Sequence, residues 1–361
     1  MSLVNILRDK NNMIEKFDFN DIILAPEVLT EINSRYKDID LGKNLPLFTA
    51  PMDSVVDLKN YNIFLKNKIN VVLPRTINFL EYYTTPNLSN NYRNNFISFG
   101  LNEIDDMVLN PNRVFSLLSD QKILIDVANG HMQKVVDLCK EIKKARPDII
   151  IMVGNIANPK TYELYAKSGC VDYVRVGIGN GNGCLTTKNA TIGYPMASLI
   201  HEINKIRKQY KFENMPFVVA DGGMKDYSDI ILALALGADY VMVGSIFNKA
   251  IESCGKNYLW KIRLNRKLAL RLYDMGFPIK KRFRGMSTKG AQKAMGKKIL
   301  KTSEGITTYR KAEYHLEGWV ENFDHYLRTA MSYTNKKNLN EFIGLTKFEF
   351  ITKNAYDRFN K

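Results

Sequence analysis

Residues 172–187 read DYVRVGIGNGNGCLTT, a β-branched apolar run that leads into a glycine-rich loop with one cysteine. The run over residues 172–178 is typical of a strand that is buried on both faces. The four glycines between residues 177 and 183 let the backbone approach a ligand closely and adopt positive φ. We therefore expect the thiol of Cys184 to face a bound molecule rather than to pack in a core.

Seven further segments of this kind occur at fairly regular spacing, five before this one and two after it. They span residues 45–51, 70–74, 96–100, 123–127, 149–153, 217–220 and 239–243. Helical patterns lie between several of them, most clearly over residues 132–144, 159–168, 195–210 and 227–236. Alternation of strands and helices implies a parallel sheet, and eight repeats imply a closed (β/α)₈ barrel, the TIM barrel of the α/β class.

No linker rich in Pro, Gly or Ser divides the chain, so we interpret residues 1–361 as a single barrel domain. Its strands lie between residues 45 and 245, residues 1–43 form an N-terminal extension, and residues 246–361 form a flap region and C-terminal additions. The composition, 45% hydrophobic and 25% charged, is typical of a soluble globular protein. The sequence contains no apolar run of about 18 residues, so it predicts no membrane span. The first 21 residues lack the apolar core of a signal peptide, so we expect a cytoplasmic location.

The net charge of +15 comes from 52 Lys and Arg against 37 Asp and Glu, and the excess is concentrated between Lys256 and Lys301. Such a surface attracts nucleotides, nucleic acid or anionic membranes. No zinc-finger spacing or recognised RNA-binding motif accompanies it, so the sequence favours a solvated basic surface over a nucleic-acid partner. The four cysteines are too few and too scattered to predict a disulfide framework or a zinc site.

The ends of the predicted strands carry the polar residues and glycines. They are residues 51–54 (PMDS), 126–130 (DVANG), 154–155 (GN), the Cys184 loop, 221–223 (DGG) and 244–245 (GS). Active residues of this fold lie at the carboxyl ends of the strands, and the loops after strands seven and eight often bind phosphate. We therefore predict a phosphate site at Asp221-Gly222-Gly223 and Gly244-Ser245, from which a ligand reaches inward to Cys184. Asp221 is then placed to hold a ribose hydroxyl.

In these segments the chain resembles the family of IMP dehydrogenases and GMP reductases, over nearly its whole length. Residues 17–26 (FDFNDIILAP) are similar to the opening segment of the family, and residues 50–55 (APMDSV) to its first strand end. Residues 177–186 are similar to its catalytic loop, with 193–195 (GYP) at the distance that the family shows. Residues 285–287 (GMS) and 294–295 (AM) are similar to its nucleotide-binding segment and the start of its flap.

The resemblance implies a mechanism. Cys184 attacks carbon 2 of a purine nucleotide monophosphate to form a thioimidate, as a thiolate can both attack and leave. Thr186 moves protons at that carbon, and a nicotinamide stacks nearby for hydride transfer. The carbonyls of Gly179, Gly181 and Cys184 hold a monovalent cation such as K⁺.

Three features favour a reductase over a dehydrogenase within this family. The regulatory insertion of dehydrogenases after the second strand is absent, and residues 126–130 resemble the reductase form of the fourth strand end. Residues 294–304 are too short for the mobile flap of a dehydrogenase and lack its Arg-Tyr pair. Residues 302–305 (TSEG) instead resemble the Ser-Glu-Gly of reductases, in which Glu304 and Thr186 pass a proton to departing ammonia.

The resemblance therefore implies an oxidoreductase that converts GMP to IMP with NADPH. An IMP dehydrogenase without its regulatory domain, which makes XMP with NAD, stays open. So does a weakly active barrel that binds purine nucleotide, or binds nucleic acid through residues 256–301.

The resemblance also assigns binding residues. To the nucleotide, GMP or IMP, it assigns Asp221, Gly222, Gly223, Gly244, Ser245, Gly285, Met286, Ser287, Lys301, Ser303 and Gly305. To NADPH it assigns Ser34, Arg35, Arg75, Asp126, Val127, Ala128, Ile178, Gly179, Thr329 and Ser332. Ser34, Arg35 and Arg75 match positions beside the 2′-phosphate. One cofactor contact is expected from a neighbouring subunit, because members of the family are tetramers.

Overall fold

The computed structural model describes residues 15–77, 95–109, 121–181, 183–210, 214–300, 302–303 and 305–359. Its main sheet has eight parallel strands: β1 Leu47–Thr49, β2 Val72–Leu73, β3 Phe96–Phe99, β4 Lys122–Asp126, β5 Ile150–Ile156, β6 Tyr173–Val176, β7 Phe217–Asp221 and β8 Tyr240–Val243. They follow one another in the order β1-β8-β7-β6-β5-β4-β3-β2. The ring is closed by Asn70, which precedes β2: its amide donates to the carbonyl of Leu47 in β1, and its carbonyl accepts from the amide of Thr49. The predicted barrel and its eight strands are confirmed.

The helices follow the predicted alternation with the strands. They are α1 Tyr61–Lys66, α2 Leu101–Leu109, α3 Gln133–Ala145, α4 Pro159–Ser168, α5 Thr186–Ala190, α6 Met196–Gln209, α7 Tyr227–Leu236, α8 Ser245–Lys249, α9 Arg266–Asp274, α10 Lys289–Ala294, α11 Leu316–Tyr333, α12 Leu339–Phe342 and α13 Lys353–Phe359, with a 3₁₀ helix at Phe19–Asp21. Local signals set their ends. In α4, Asn158 caps the first turn, Pro159 begins the helix and Gly169 ends it with a φ of 63°.

Each barrel strand is buried on both faces, which explains the near-continuous apolar runs. Alternate residues fill the barrel interior, among them Phe48, Leu124 and Met152. The residues between them pack against the surrounding helices. In β6 this alternation directs Val174 and Val176 outward to the helices, so Arg175 lies on the inward face of the strand.

A second, antiparallel sheet follows the barrel strands in sequence. Its strands are β9 Asn257–Leu259, β10 Ile262–Leu264, β11 Lys280–Arg284 and β12 Thr307–Lys311, in the order β10-β9-β11-β12. Helix α9 packs against one face of it, in a small core with Leu259, Ala269 and Ile279. The sequence predicted only flap and C-terminal additions here and did not predict a sheet. A further strand pair, Ile22–Leu24 with Phe348–Phe350, joins the two ends of the described chain.

None of the helices in the described ranges is both long enough and apolar enough to cross a membrane.

Candidate active site

The cysteine loop places the thiol of Cys184 beside the hydroxyl of Thr186. After β6 the chain turns back, and the N–H of Cys184 donates to the carbonyl of Gly181 at 2.9 Å. The partly buried Cys184 thiol donates to Thr186 Oγ1 at 3.2 Å. Thr186 is the first residue of α5. A free thiol in contact with a hydroxyl can act as a nucleophile with a proton-transfer group within reach.

Thr187 holds the two sides of this loop together. Its hydroxyl lies 2.8 Å from the carbonyl of Ile192 and 3.3 Å from that of Ile178. A Cβ at Gly179 would lie 1.8 Å from Thr187 Oγ1, so a larger residue at 179 does not fit. Ile178 is buried. Two of the predicted ligand-binding residues, Ile178 and Gly179, can therefore offer mainly backbone groups.

The two predicted phosphate loops lie at the ends of the neighbouring strands β7 and β8. Gly222 and Gly223 adopt φ of 87° and 95°, which glycine reaches without strain. A Cβ at Gly222 would lie 3.1 Å from the amide nitrogen of Gly181, so this loop contacts the cysteine loop. Gly244 follows β8, and Ser245 begins α8. The structure thus brings both loops to the same end of the barrel as Cys184.

The second sheet meets the cysteine loop through backbone hydrogen bonds. The amide of Gly285, directly after β11, donates to Ile306 at 3.0 Å, and the amide of Ile306 donates to Gly183 at 3.1 Å. Cys184 and Gly305 form an antiparallel bridge. A Cβ at Gly285 would lie 2.4 Å from the carbonyl oxygen of Gly183, so these two segments of the chain can approach this closely only with a glycine at position 285.

The other predicted nucleotide residues of this sheet lie beside the same junction. Met286 and Ser287 are half-buried, and a Cβ at Gly305 would lie 2.8 Å from Ser287 Oγ. The hydroxyl of Ser303 donates to the carbonyl of Gly305 at 2.8 Å. The remaining two predicted residues lie outside the described residues: Lys301 and Glu304.

Arg175 joins two predicted sites beneath these loops. From β6 its guanidinium donates to Asp126 at 2.8 Å and to Asp221 at 2.8 Å, and the residue is only 5% exposed. Asn155 donates to the same oxygen of Asp221 at 2.7 Å. Burial lowers the pKa of Arg175, but the two carboxylates outweigh it and hold that pKa above its usual value. Asp126, predicted for the cofactor, and Asp221, predicted for the nucleotide, therefore share one cation.

An ion pair between Asp53 and Arg284 attaches the second sheet to the barrel. Asp53 follows β1, Arg284 ends β11, and the guanidinium contacts both carboxylate oxygens. Such a bidentate pair fixes orientation as well as distance. The thiol of Cys254 donates to the carbonyl of Asp53 at 3.2 Å, and burial raises the pKa of that thiol well above its usual value.

Four of the predicted cofactor residues lie together, along α11. The guanidinium of Arg35 donates to Thr329 Oγ1 at 2.8 Å. The amide of Ser34 donates to Asp38 at 2.8 Å, and the carbonyl of Ser332 accepts from a threonine of the same N-terminal segment at 3.0 Å. All four are half-buried, so their polar groups remain accessible.

Arg75 lies elsewhere, over the end of β3. A Cβ at Gly100 would lie 2.0 Å from its guanidinium, which is 3.4 Å from the carboxylate of Glu103. No hydrogen bond or ion pair within the described ranges joins Arg75 to the residues along α11. Val127 and Ala128 follow β4, half-buried and exposed respectively, and the amide of Val127 donates to the backbone after β5 at 3.0 Å.

Residues 108–358 match the family model described as the IMP dehydrogenase / GMP reductase domain. The chain belongs to this family. It is accordingly an enzyme, an oxidoreductase, and the predicted family and fold are confirmed.

Similar proteins within the family carry both names. A GMP reductase of Caenorhabditis elegans is 28% identical over 361 residues, 95% of this chain and 94% of that protein. A GMP reductase of Streptococcus suis is 29% identical over 338 residues, 90% of this chain and 91% of that protein. An inosine-5′-monophosphate dehydrogenase of Chlorobaculum parvum is 35% identical over 234 residues, 64% of this chain but 45% of that protein.

Sequence reasoning missed Arg175, and it placed Asn155 at a strand end without giving it a role. A signal was available for Arg175, because a charged residue stands inside a strand that is otherwise apolar or aromatic. A buried charge is costly without partners, so its position predicts carboxylates nearby. Among the residues that the structure describes, no group of three His, Cys, Asp or Glu side chains could hold a metal ion.

Proposed function

We propose that the enzyme is a GMP reductase, which converts GMP and NADPH to IMP, ammonia and NADP⁺. The observation that carries this proposal is the Cys184 thiol, 3.2 Å from the Thr186 hydroxyl, at the same end of the barrel as two glycine loops suited to phosphate. The comparisons support the reductase. Both GMP reductases match over nine-tenths or more of both chains, whereas the dehydrogenase matches over 45% of its own length.

The nucleotide phosphate binds at the ends of β7 and β8. Backbone N–H groups of Gly222, Gly223 and Gly244 and the hydroxyl of Ser245 supply donors, as barrel enzymes commonly do at these two loops. Asp221 holds the ribose: Arg175 and Asn155 both bond to one of its carboxylate oxygens, so the other can accept a hydroxyl. The base then lies toward Cys184, against residues 285–287, with Lys301, Ser303 and Gly305 completing the site.

The first chemical step is displacement of ammonia. Cys184 Sγ attacks carbon 2 of GMP and forms a C–S bond, and the bond from carbon 2 to the exocyclic nitrogen then breaks. The departing nitrogen must gain a proton, which Thr186 and Glu304 supply. The contact between the Cys184 thiol and Thr186 Oγ1 supports this role, because the same hydroxyl can take the thiol proton and pass it on.

The second step replaces sulfur with hydrogen. NADPH supplies a hydride at carbon 2, and the C–S bond breaks to return the Cys184 thiolate. Asp126, Val127, Ala128, Ile178 and Gly179 line the nicotinamide side, where Arg175 fixes the carboxylate of Asp126.

The 2′-phosphate of NADPH binds among Ser34, Arg35 and Arg75, with Thr329 and Ser332 beside them. The fit is chemical: Arg35 is held by the neutral hydroxyl of Thr329, which leaves its charge available to a phosphate. Because Arg75 lies apart from these residues within one chain, we propose a homotetramer in which neighbouring subunits complete the cofactor site.

A monovalent cation such as K⁺ binds the carbonyls of Gly179, Gly181 and Cys184. Peptide carbonyls are the neutral oxygen ligands that such ions take. The carbonyl of Gly181 already accepts the amide of Cys184, which fixes the turn between these residues. A cation here would stiffen the loop that carries the thiol.

A direct assay tests the reaction. When purified enzyme is mixed with GMP and NADPH, the absorbance of the reduced nicotinamide should fall. The molar amounts of NADPH consumed and ammonia released should be equal. Formation of NADH from IMP and NAD, with no turnover of GMP, would contradict the reductase and establish a dehydrogenase instead.

Cys184→Ala tests the covalent step. The variant should lose activity by at least about 10⁴-fold, because the attacking atom is gone. The matched control is Cys139→Ala, at a buried position in α3, which should keep its rate per folded molecule. Turnover by Cys184→Ala close to the wild-type rate would exclude the thioimidate.

A further inference from the structure

Almost all of the net positive charge of the chain lies in one segment. Residues 256–301 hold 15 Lys and Arg and a single Asp, whereas the rest of the chain holds 37 Lys and Arg against 36 Asp and Glu. Apart from Lys301, the residues that we propose to bind phosphate lie outside this segment, so binding of two nucleotides at the barrel does not require this concentration of charge.

The second sheet gathers part of this segment onto one open face. Strand pairing places Arg263, Tyr258, Lys280 and Lys311 side by side across all four strands. Because side chains alternate along a strand, these four point away from the face that packs on α9. Lys280 and Lys311 are exposed.

A second row of the same face lies nearer the active site. It consists of Lys256, Arg282 and Tyr309: the amide of Arg282 donates to the carbonyl of Lys256 at 2.9 Å, and Arg282 pairs with Tyr309. The two rows together are called the basic face below. Lys281 and Phe283, which alternate with the residues of this face in β11, are buried on the other side.

Among the residues that the structure describes, the cations of the basic face have no acidic partners. None of Lys256, Arg263, Lys280, Arg282 and Lys311 forms an ion pair within the described ranges, although Arg266 and Arg284 nearby are paired with Asp57 and Asp53. Repulsion from Arg282, together with burial, lowers the pKa of Lys256. An anion that binds beside unpaired like charges at this spacing offsets the repulsion between them.

The basic face also carries aromatic rings, of which Tyr258 is half-buried and Tyr309 is exposed. Tyr258 and Tyr309 meet edge to face, with ring centroids 5.3 Å apart, and Tyr309 is 57% exposed. At the turn between β9 and β10, Trp260 is 72% exposed. Rings set among lysines and arginines on a sheet are the means by which proteins bind unpaired bases along a phosphate backbone.

We propose that the basic face binds single-stranded nucleic acid, with phosphates on its lysines and arginines and bases stacked on Tyr258 and Tyr309. The sequence alone favoured a solvated surface, because no nucleic-acid-binding motif accompanies the charge. The residues concerned are up to 55 positions apart, and antiparallel pairing brings them together. Ribose and deoxyribose strands share the chemistry that the face recognises. The inference does not depend on the reaction proposed for the barrel.

Fluorescence anisotropy of labelled oligouridylate and oligothymidylate, each of about 20 nucleotides, tests binding to the full chain. We expect affinity to fall between about 50 and 200 mM KCl, with a slope of log K against log salt near −3 for four or five phosphate contacts. Tighter binding of oligouridylate than of oligothymidylate would identify RNA as the ligand. Equal affinities for the two would mean that the face binds single strands of either kind.

Three variants locate the site. Lys280→Glu with Lys311→Glu should weaken binding at least about tenfold and reduce the steepness of the slope by about 1.4, since two contacts are lost. Tyr309→Ala should weaken it by about fivefold or more, through lost stacking. The matched control, Lys144→Glu with Lys160→Glu, makes the same charge change on α3 and α4 and should change affinity less than about twofold. NADPH oxidation with GMP, or the unfolding midpoint, monitors folding of each variant.

The proposal is overturned by any of three results. One is the absence of binding to both strands at about 50 mM KCl. Another is an equal loss in the control pair, which would mean that binding follows net charge alone. The third is binding of phosphatidylserine vesicles, or of a duplex, that is as tight as oligonucleotide binding and unaffected by Tyr309→Ala.

Discussion

Arg175 carries a charge in the middle of a strand whose other residues are apolar or aromatic. It contributes one cation to two carboxylates, Asp126 and Asp221, at the ends of β4 and β7. Without it, two acids would face each other beneath the proposed nucleotide and cofactor sites. Its role is therefore to hold both carboxylates in position.

We expect Arg175→Met to lower the free energy of unfolding by about 3–5 kcal/mol, because it leaves the half-buried carboxylates of Asp126 and Asp221 without their cation. Urea unfolding at pH 7 measures this. The control is Arg146→Met, which breaks an exposed pair with Asp148 and should cost less than about 1 kcal/mol. Equal losses in the two variants would mean that the Arg175 network adds nothing beyond a surface ion pair.

The sequence identified the residues whose chemistry is local. Cys184 and Thr186 are two positions apart on a glycine-rich loop, so their proximity follows from the chain itself. Arg175, Asp126 and Asp221 come from three strands, and only closure of the barrel and the inward direction of each side chain brings them together. That information is absent from any single window of sequence.

At the scale of elements, the barrel strands could be predicted because each is a short run of buried apolar residues. Their ends could not. The sequence predicts the fifth strand over 149–153, but it spans Ile150–Ile156, and its last residues include Gly154 and Asn155, at which the pairing with β6 shifts register. Such residues resemble a loop in sequence, and here they continue the strand to the site.

The second sheet could not be predicted from local pattern. Strand β11 reads KKRFR, with four cations in five residues, and pairs with β12 far along the chain. Its fully buried residue is Lys281, whose ammonium donates to the carbonyls of Ile251 and Ser253 at 2.8 and 2.9 Å. Tertiary contacts, not hydrophobicity, decide which cation of this strand lies inside.

Burial lowers the pKa of Lys281 from 10.5 to about 7. Between these values the unfolded chain binds a proton that the folded chain does not, so the lysine makes stability rise with pH across that window.

Lys281→Met lacks this pH-dependent contribution to stability. From pH 7 to 10, the free energy of unfolding of the wild type should therefore rise relative to that of Lys281→Met, by up to about 1.4 kcal/mol per pH unit. Lys280→Met, at the neighbouring exposed position, is the control and should run parallel to the wild type. Parallel curves for Lys281→Met as well would show that the buried lysine stays protonated.

At the scale of the whole molecule, the proposed cofactor residues fall into separate groups. Arg35 and Thr329 lie along α11, which packs on α7, whereas Arg75 lies over the end of β3. A closed symmetric assembly can bring such surfaces of two subunits together. The sequence suggested this arrangement only through family resemblance, because the geometry of an interface does not follow from one chain.

Mixed oligomers test whether neighbouring subunits share a site. Cys184→Ala and Arg35→Glu should each be nearly inactive at low NADPH, the first through the nucleophile and the second through the 2′-phosphate. If Arg35 serves the neighbour, co-expressed and doubly tagged mixtures should recover roughly a quarter of the wild-type rate, because random pairing leaves that share of sites with both residues intact. The control mixes Cys184→Ala with Arg75→Glu, two residues that we assign to the same chain's site, and should stay inactive. Recovery in the control but not in the first mixture would reverse the assignment, with Arg75 reaching across the interface and Arg35 serving its own subunit.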